Sequence, residues 1–252
     1  MAQHKVGTRE EWLAARNALA ELENEHNLRS EELARQRQEL PWVPVETEYT
    51  LETVDGAKTL AELFDGRSQL LAYNIMFGPS YSIGACPGCS NLADHLDGGR
   101  VHLNHRDVTL ICTSRAPIER IRTYKERMGW RFPWASTYES DFAFDFELAL
   151  TDEQLAESEE AQQMLEDPPD WLMEWAEMVG TDLRSGMAEN PGWIAFALED
   201  GVVYHTYSRF APDRDFVVPY YHQLLDRTPK GRVDEFRAVR HDEYERYETA
   251  AR

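Results

Sequence analysis

The stretch Cys86-Pro87-Gly88-Cys89 constrains this chain more than any other. It follows an apolar run, Leu70-Leu71-Ala72-Tyr73-Asn74-Ile75-Met76-Phe77, with the length and composition of a buried strand. It leads into Ser90-Asn91-Leu92-Ala93-Asp94-His95-Leu96, a predicted helix. A strand, a loop and then two cysteines on the opening turn of a helix is the arrangement of a dithiol/disulfide centre. Backbone N–H groups at a helix N-terminus lack intrahelical partners and carry partial positive charge, so a thiolate at Cys86 is stabilised there. Pro87 suits the first helical position, where its missing N–H costs nothing. Cys89 lies about one turn on, within reach of a mixed disulfide formed at Cys86. The expected roles are therefore Cys86 as nucleophile and Cys89 as resolving cysteine.

Charge and cysteine usage narrow the partners. The 252 residues carry 26 Lys and Arg against 46 Asp and Glu, a formal net charge of −20. Such a surface repels nucleic acid and anionic membranes, so neither is an expected partner; a thiol or disulfide substrate is. Three cysteines are too few for a disulfide framework. No apolar run approaches the length of a membrane span, and Met1-Ala2-Gln3-His4-Lys5 lacks the apolar core of a signal peptide, so a cytoplasmic location is expected. No Gly-rich phosphate loop, Ser/His/Asp set or carboxylate pair stands out, and no cofactor is expected.

Along the chain, Thr8-Arg9-Glu10-Glu11 has the form of a capping box and predicts a helix start. Trp12, Leu19, His26, Leu33 and Leu40 recur at heptad spacing up to Pro41. This predicts an amphipathic arm at 1–42, lying on its own domain or, in the sharper reading, forming a homodimer contact. The alternation Val45-Glu46-Thr47-Glu48-Tyr49 followed by Asp55-Gly56 suggests a hairpin. The cysteine helix is expected to end near Gly98-Gly99. Asp107 to Thr113 reads as a second buried strand, Ala116 to Met128 as a helix stopped by Gly129, and Phe132 to Ala135 as extended. Strand, helix, strand, helix implies parallel pairing with right-handed crossovers, with the site outside the carboxyl ends of the strands.

Residues 151–190 are acidic and irregular until Pro168-Pro169-Asp170, which opens a predicted helix with Trp171, Leu172, Trp175, Met178 and Val179 on one face. That stripe is either core packing or a lid over the site. Trp193 to Leu198, Glu199-Asp200-Gly201 and Val202 to Ser208 form a hairpin signal. A closing helix is expected from about Asp215 to Leu225, and a surface helix or frayed tail from Arg237.

This element order resembles a thioredoxin-like fold: α/β, a central mixed sheet flanked by helices. The long N-terminal helical arm and an inserted helical segment are additions to it. The corresponding layout is an arm at 1–42, a thioredoxin-like domain at 43–232 with an insertion at about 138–190, and a charged tail at 233–252. In that superfamily a cis-proline before the late hairpin faces the dithiol, and the resemblance implies this role for Pro191. More specifically, the chain resembles a bacterial family of thioredoxin-like proteins of unknown function described as predicted dithiol-disulfide oxidoreductases. The resembling residues include Leu40-Pro41-Trp42, Leu63-Phe64-Asp65-Gly66-Arg67, Met76-Phe77-Gly78-Pro79, Cys86-Pro87-Gly88-Cys89-Ser90 with Asp94-His95, Ser114-Arg115-Ala116-Pro117, Met128-Gly129-Trp130, His205-Thr206-Tyr207-Ser208 and Thr228-Pro229-Lys230-Gly231-Arg232. The loop Ser80 to Ala85 is longer than that family's usual approach to the first cysteine, and residues 151–190 depart from its pattern.

Alternatives remain beside the dithiol reading. Cysteines are often small buried hydrophobes, and Cys112, near the carboxyl end of the second strand, is either core or a further redox thiol. A peroxiredoxin-like thiol peroxidase is the runner-up: Pro79 occupies the proline position of that family's motif, but Ile83 stands where a hydroxyl residue belongs, leaving Arg115 or Arg131 to supply charge. A Cys/His metal site would draw on Cys86, Cys89, His95 and His102, with His105 nearby, although a second closely spaced ligand pair is missing.

Overall fold

The structure, a computed structural model, describes residues 5–210, 220–232 and 238–245. The chain divides into two compact units, residues 1–41 and 42–252. The first is one helix, α1 (Arg9–Gln38), opened by a reciprocal capping box: Glu11 N–H donates to Thr8 Oγ1 at 3.2 Å and Thr8 N–H to Glu11 Oε2 at 2.7 Å. No helix among the described residues is long and apolar enough to cross a membrane.

The second unit is built on one sheet whose strands are β1 (Val43–Pro44), β2 (Thr50–Thr53), β3 (Gly56–Thr59), β4 (Gln69–Asn74), β5 (Val108–Ser114), β6 (Trp134–Ser136), β7 (Gly192–Glu199) and β8 (Val202–Phe210). Their order is β1-β8-β7-β4-β5-β6-β2-β3. Strand β4 pairs in parallel with β5 and antiparallel with β7, which pairs antiparallel with β8. Two helices, α2 (Pro87–Ala93) and α3 (Leu96–Asn104), make the crossover from β4 to β5. That central set, β5-β4-β7-β8, is the thioredoxin-like arrangement expected from the element order. The β7–β8 turn forms where the sequence signals it, with Asp200 and Gly201 both at positive φ (51° and 81°).

Alternation along β4 divides the core. Leu70 and Ala72 face one apolar cluster with Phe64, Ile111, Phe142 and Phe196. Tyr73, with Ile75 and Phe77 just beyond the strand, faces the other, which contains Cys86, Cys89, Cys112, Tyr124 and Trp134. Both faces of β4 are therefore covered, which is why it reads as a nearly continuous apolar run. Helix α4 (Ile118–Met128) ends at Gly129 in the left-handed region (φ 68°), as its sequence predicts.

Several expectations need correction. The hairpin strands begin at Thr50; the alternation at Val45 to Tyr49 is not a strand, and the edge strand pairing with β8 is Val43–Pro44. The cysteine helix breaks at Asp94 and His95, and Gly98-Gly99 lie inside α3. The break coincides with a claim on Asp94, whose Oδ1 accepts from Trp130 Nε1 at 2.8 Å and pairs with His241 Nδ1 at 2.7 Å. The acidic stretch after α5 (Phe142–Asp145) is not irregular: it forms α6 (Asp152–Glu157), with a Thr151/Gln154 capping box, and α7 (Glu159–Glu166), capped by Ser158. Helix α8 (Asp170–Val179) forms as predicted, but Trp171 is exposed while Leu172, Ala176 and Val179 are buried. It is followed by α9 (Leu183–Met187). Of the closing helix, α10 (Tyr220–Leu225) is described and its expected beginning lies outside the described residues.

The largest departure is over residues 238–245, which form a packed strap in place of the expected surface helix or frayed tail; the rest of that stretch lies outside the described residues. Arg240, 1% exposed, donates to Ala85 O (3.1 and 2.7 Å) and Met178 O (3.0 Å), and pairs with the buried Glu243 at 3.0 Å. Arg127 binds Glu243 and Asp242, both at 2.7 Å. A buried charge is tolerated only when paired and hydrogen-bonded, and this guanidinium is both. Arg240→Ala is expected to lower stability by about 3 kcal/mol, because it strips the buried carbonyl of Ala85, the part-buried carbonyl of Met178 and half of the partners of Glu243. Denaturant unfolding of the reduced protein measures this.

Candidate active site

Cys86 is the N-cap of α2, with Pro87 at the first helical position. Its backbone is anchored on both sides: Cys86 N–H donates to Met76 O at 2.8 Å, and Cys86 O accepts from Ser90 N–H and Ser90 Oγ, each at 2.9 Å. Ser90 Oγ is also bonded to Tyr124 Oη at 2.9 Å. The preceding carbonyl, of Ala85, is the one held by Arg240.

The two thiols are both buried, Cys86 at 8% exposure and Cys89 at 4%, and they interact with each other. The Cys89 thiol donates to Cys86, and this is the main reason the Cys86 pKa falls, to about 6, against burial that pushes it up. The N–H groups of Cys89 and Gly88 add to the fall, although neither closes a full cap hydrogen bond. The indole N–H of Trp175 donates to Cys86 Sγ at 3.3 Å. Cys89 is pushed well above the ordinary thiol range, first by donating to Cys86, then by burial and by the neighbouring negative charge. Tyr73, from β4, hydrogen-bonds Cys89 and moderates that rise. A pair with one thiol lowered and the other raised forms a nucleophile beside a reserve proton donor.

The other expected site residues fall differently. Pro191 is half-buried immediately before β7, and the residue of that stretch packed into the dithiol cluster is Trp193, whose ring lies 4.8 Å from that of Tyr73. Cys112 pairs in register with Tyr73 but is fully buried, and burial pushes its thiol well above the ordinary range. His95 faces Tyr221, with ring centroids 6.0 Å apart, and His102 is exposed on α3. Among the described residues no group of three or more His, Cys, Asp or Glu side chains is arranged to hold a metal ion. Ile83 is 52% exposed, Arg115 is paired with Glu189 at 2.9 Å, and the Arg131 side chain is 81% exposed.

Sequence reasoning missed Arg240, Tyr73 and Glu189. Only Tyr73 left a signal, as a polar-tipped aromatic inside the strand that feeds the cysteines. Glu189 is 3% exposed, beside Gly78 and Tyr81, and its Oε2 has no partner among the described residues. Burial raises its pKa from 4.5 to about 7, outweighing Arg115, which also stacks on Phe144.

Two predictions follow from these shifts. Reduced protein is expected to react with iodoacetamide at Cys86 with a midpoint near pH 6, and Cys89→Ala to move that midpoint up toward the ordinary thiol range. Mass-resolved alkylation rates across pH check this. For Glu189, the folded pKa lies above the unfolded one, so its contribution is fully present below about pH 4.5 and is lost as pH rises through about 7. The loss is about 3 kcal/mol, and Glu189→Gln is expected to flatten that slope in denaturant unfolding measured from pH 4.5 to 8.

Among solved structures, the chain is similar to Xanthomonas campestris peroxiredoxin Q, at 10% identity and a TM-score of 0.42 over 64% of this chain and 79% of that one. It is similar to a mutant PrxQ of Xylella fastidiosa at 12% identity and 0.43, over 70% and 84%. A hypothetical protein of Sinorhizobium meliloti 1021 is similar at 12% and 0.36, over 74% and 81%. No curated protein sequence matches the chain. Residues 1–247 match a family described as bacterial protein of unknown function (DUF899).

Proposed function

The chain belongs to the bacterial family of unknown function DUF899, and within it we propose that this protein is a thiol-disulfide oxidoreductase working through Cys86 and Cys89. The observation that carries the reading is the opposed setting of the two thiols, one lowered and one raised by the same contact. The Cys86 thiolate attacks one sulfur of a substrate disulfide, forming a mixed disulfide and expelling the other sulfur as a thiolate. That leaving thiolate takes up the proton that Cys89 gives up. The Cys89 thiolate then attacks Cys86 Sγ, closing the Cys86–Cys89 disulfide and releasing the second substrate thiolate. The substrate gains two electrons and the dithiol loses two; an external thiol reductant reverses the balance and returns the pair to its starting state. Pro191 shapes the substrate groove in this reading, and Cys112 serves packing.

A peroxide substrate is the weaker reading. It asks for a cation or hydroxyl at Cys86 Sγ, whereas Ile83 points to solvent and Arg115 is committed to Glu189.

Mass spectrometry of the alkylated protein before and after reductant is expected to find a reversible Cys86–Cys89 disulfide, and its absence would remove the mechanism. With a model disulfide substrate, Cys89→Ser should accumulate a mixed disulfide on Cys86, and Cys86→Ser should form none.

A further inference from the structure

We propose that Trp175 is a third working member of the redox centre, its indole N–H holding the Cys86 sulfur in the thiolate state, and that Gly186 is glycine because that ring needs its space. The proposal rests on the dithiol reading above and adds a residue from the inserted helical segment to it.

Three observations carry it. The indole Nε1 lies 3.3 Å from Cys86 Sγ, and apart from the Cys89 thiol no other side-chain donor among the described residues is bonded to that sulfur. Second, the ring is seated on Gly186. A Cβ at that position would stand 2.5 Å from Trp175 Cζ3 and 2.9 Å from Cη2, closer than a rigid ring permits. Gly186 lies inside α9, where helix propensity alone favours alanine, so the glycine answers to the ring and not to the helix. Third, the seat is tied to the loop that delivers Cys86. Tyr81 packs edge-on against Trp175 with centroids 5.8 Å apart and donates from its hydroxyl to Gly186 O at 3.3 Å. One turn after Trp175, Val179 O accepts from Ile83 N–H and Gly180 O from Ser82 N–H, each at 3.1 Å. Loop and helix therefore hold their relative position through backbone bonds.

The chemistry gives the contact a direction. A hydrogen bond to an ionised acceptor is stronger than one to a neutral acceptor, so the indole favours the thiolate over the disulfide sulfur. Favouring the reduced, ionised form lowers the thiol pKa and makes the disulfide a stronger oxidant.

The test is a double-mutant cycle read by the pH dependence of Cys86 alkylation and by redox equilibrium with glutathione. Trp175→Phe keeps an aromatic ring and loses the donor. It should raise the alkylation midpoint and shift the redox equilibrium about tenfold toward the disulfide, or about 30 mV more reducing. Gly186→Ala keeps the donor, touches neither cysteine, and should shift both readouts the same way by displacing the ring. The double variant should match Trp175→Phe alone, because a displaced phenyl has no further donor to lose. A wild-type midpoint in Trp175→Phe overturns the proposal; so does a wild-type midpoint in Gly186→Ala, or additive shifts in the double variant. In the unmutated protein, the indole N–H resonance of Trp175 should titrate with the same midpoint as Cys86, and a pH-silent resonance also overturns it. Alkylation and the resonance need no disulfide to form. Absence of a reversible Cys86–Cys89 bond would therefore sink the oxidoreductase reading while leaving this result to stand or fall separately.

Discussion

The geometry around Cys86 depends on a buried guanidinium. Arg240 donates to the carbonyl of Ala85, immediately before Cys86, and to the carbonyl of Met178 near the end of α8, while Glu243 balances its charge. A carbonyl at the end of a helix and one in a loop both need partners once water is excluded, and a planar five-donor group can serve them together with a carboxylate. One side chain thus joins three segments distant in sequence. The close approach also needs Gly84, where a Cβ would stand 2.5 Å from Tyr124 Cε2 and 3.4 Å from Arg240 Nη2.

That arrangement bears on how a strongly acidic protein keeps a thiolate. With a net charge of −20, the overall field opposes an added negative charge. The shift of Cys86 has no cation among its main causes; it comes from the Cys89 thiol, the N–H groups of Cys89 and Gly88, and the Trp175 indole. Arg240, although close, is paired with Glu243 and spends its donors on carbonyls. Neutral donors, oriented by the fold, do the stabilising, and in a buried setting each counts for more than it would in water. The same burial pushes the Cys112 thiol up one strand away.

Legibility from sequence tracked how local each cause was. The capping box at Thr8, Gly129 after α4, Asp200-Gly201 between β7 and β8, and the cysteine-bearing helix start were readable because their determinants lie within a few residues. The parallel β4–β5 pairing followed from the crossover rule. The misreadings lie where distant contacts decide. Val45 to Tyr49 alternate like a strand, yet β8 pairs instead with Val43 and Pro44. Gly98-Gly99 look like a stop, yet the helix breaks earlier, at the aspartate claimed by Trp130 and His241. The capping residues of α6 and α7 were present in an acidic stretch and were legible in principle.

By itself the sequence determined which residues could react and on what scaffold: two cysteines at a helix start, after a strand buried on both faces, ahead of a late hairpin. These follow from periodicity, capping and spacing, which act within one element or between neighbours. The helix start already favoured Cys86 as the eased thiol, and only the tertiary structure decided which groups would ease it. The donors to Cys86 come from α8 as well as α2, the support for Cys89 comes from the face of β4 on which Tyr73 falls, and the clamp comes from the far end of the chain. Hydrogen bonds of about 3 Å require atoms brought together across 89 residues for Trp175 and Cys86 and 155 for Arg240 and Ala85, and no local pattern encodes that convergence.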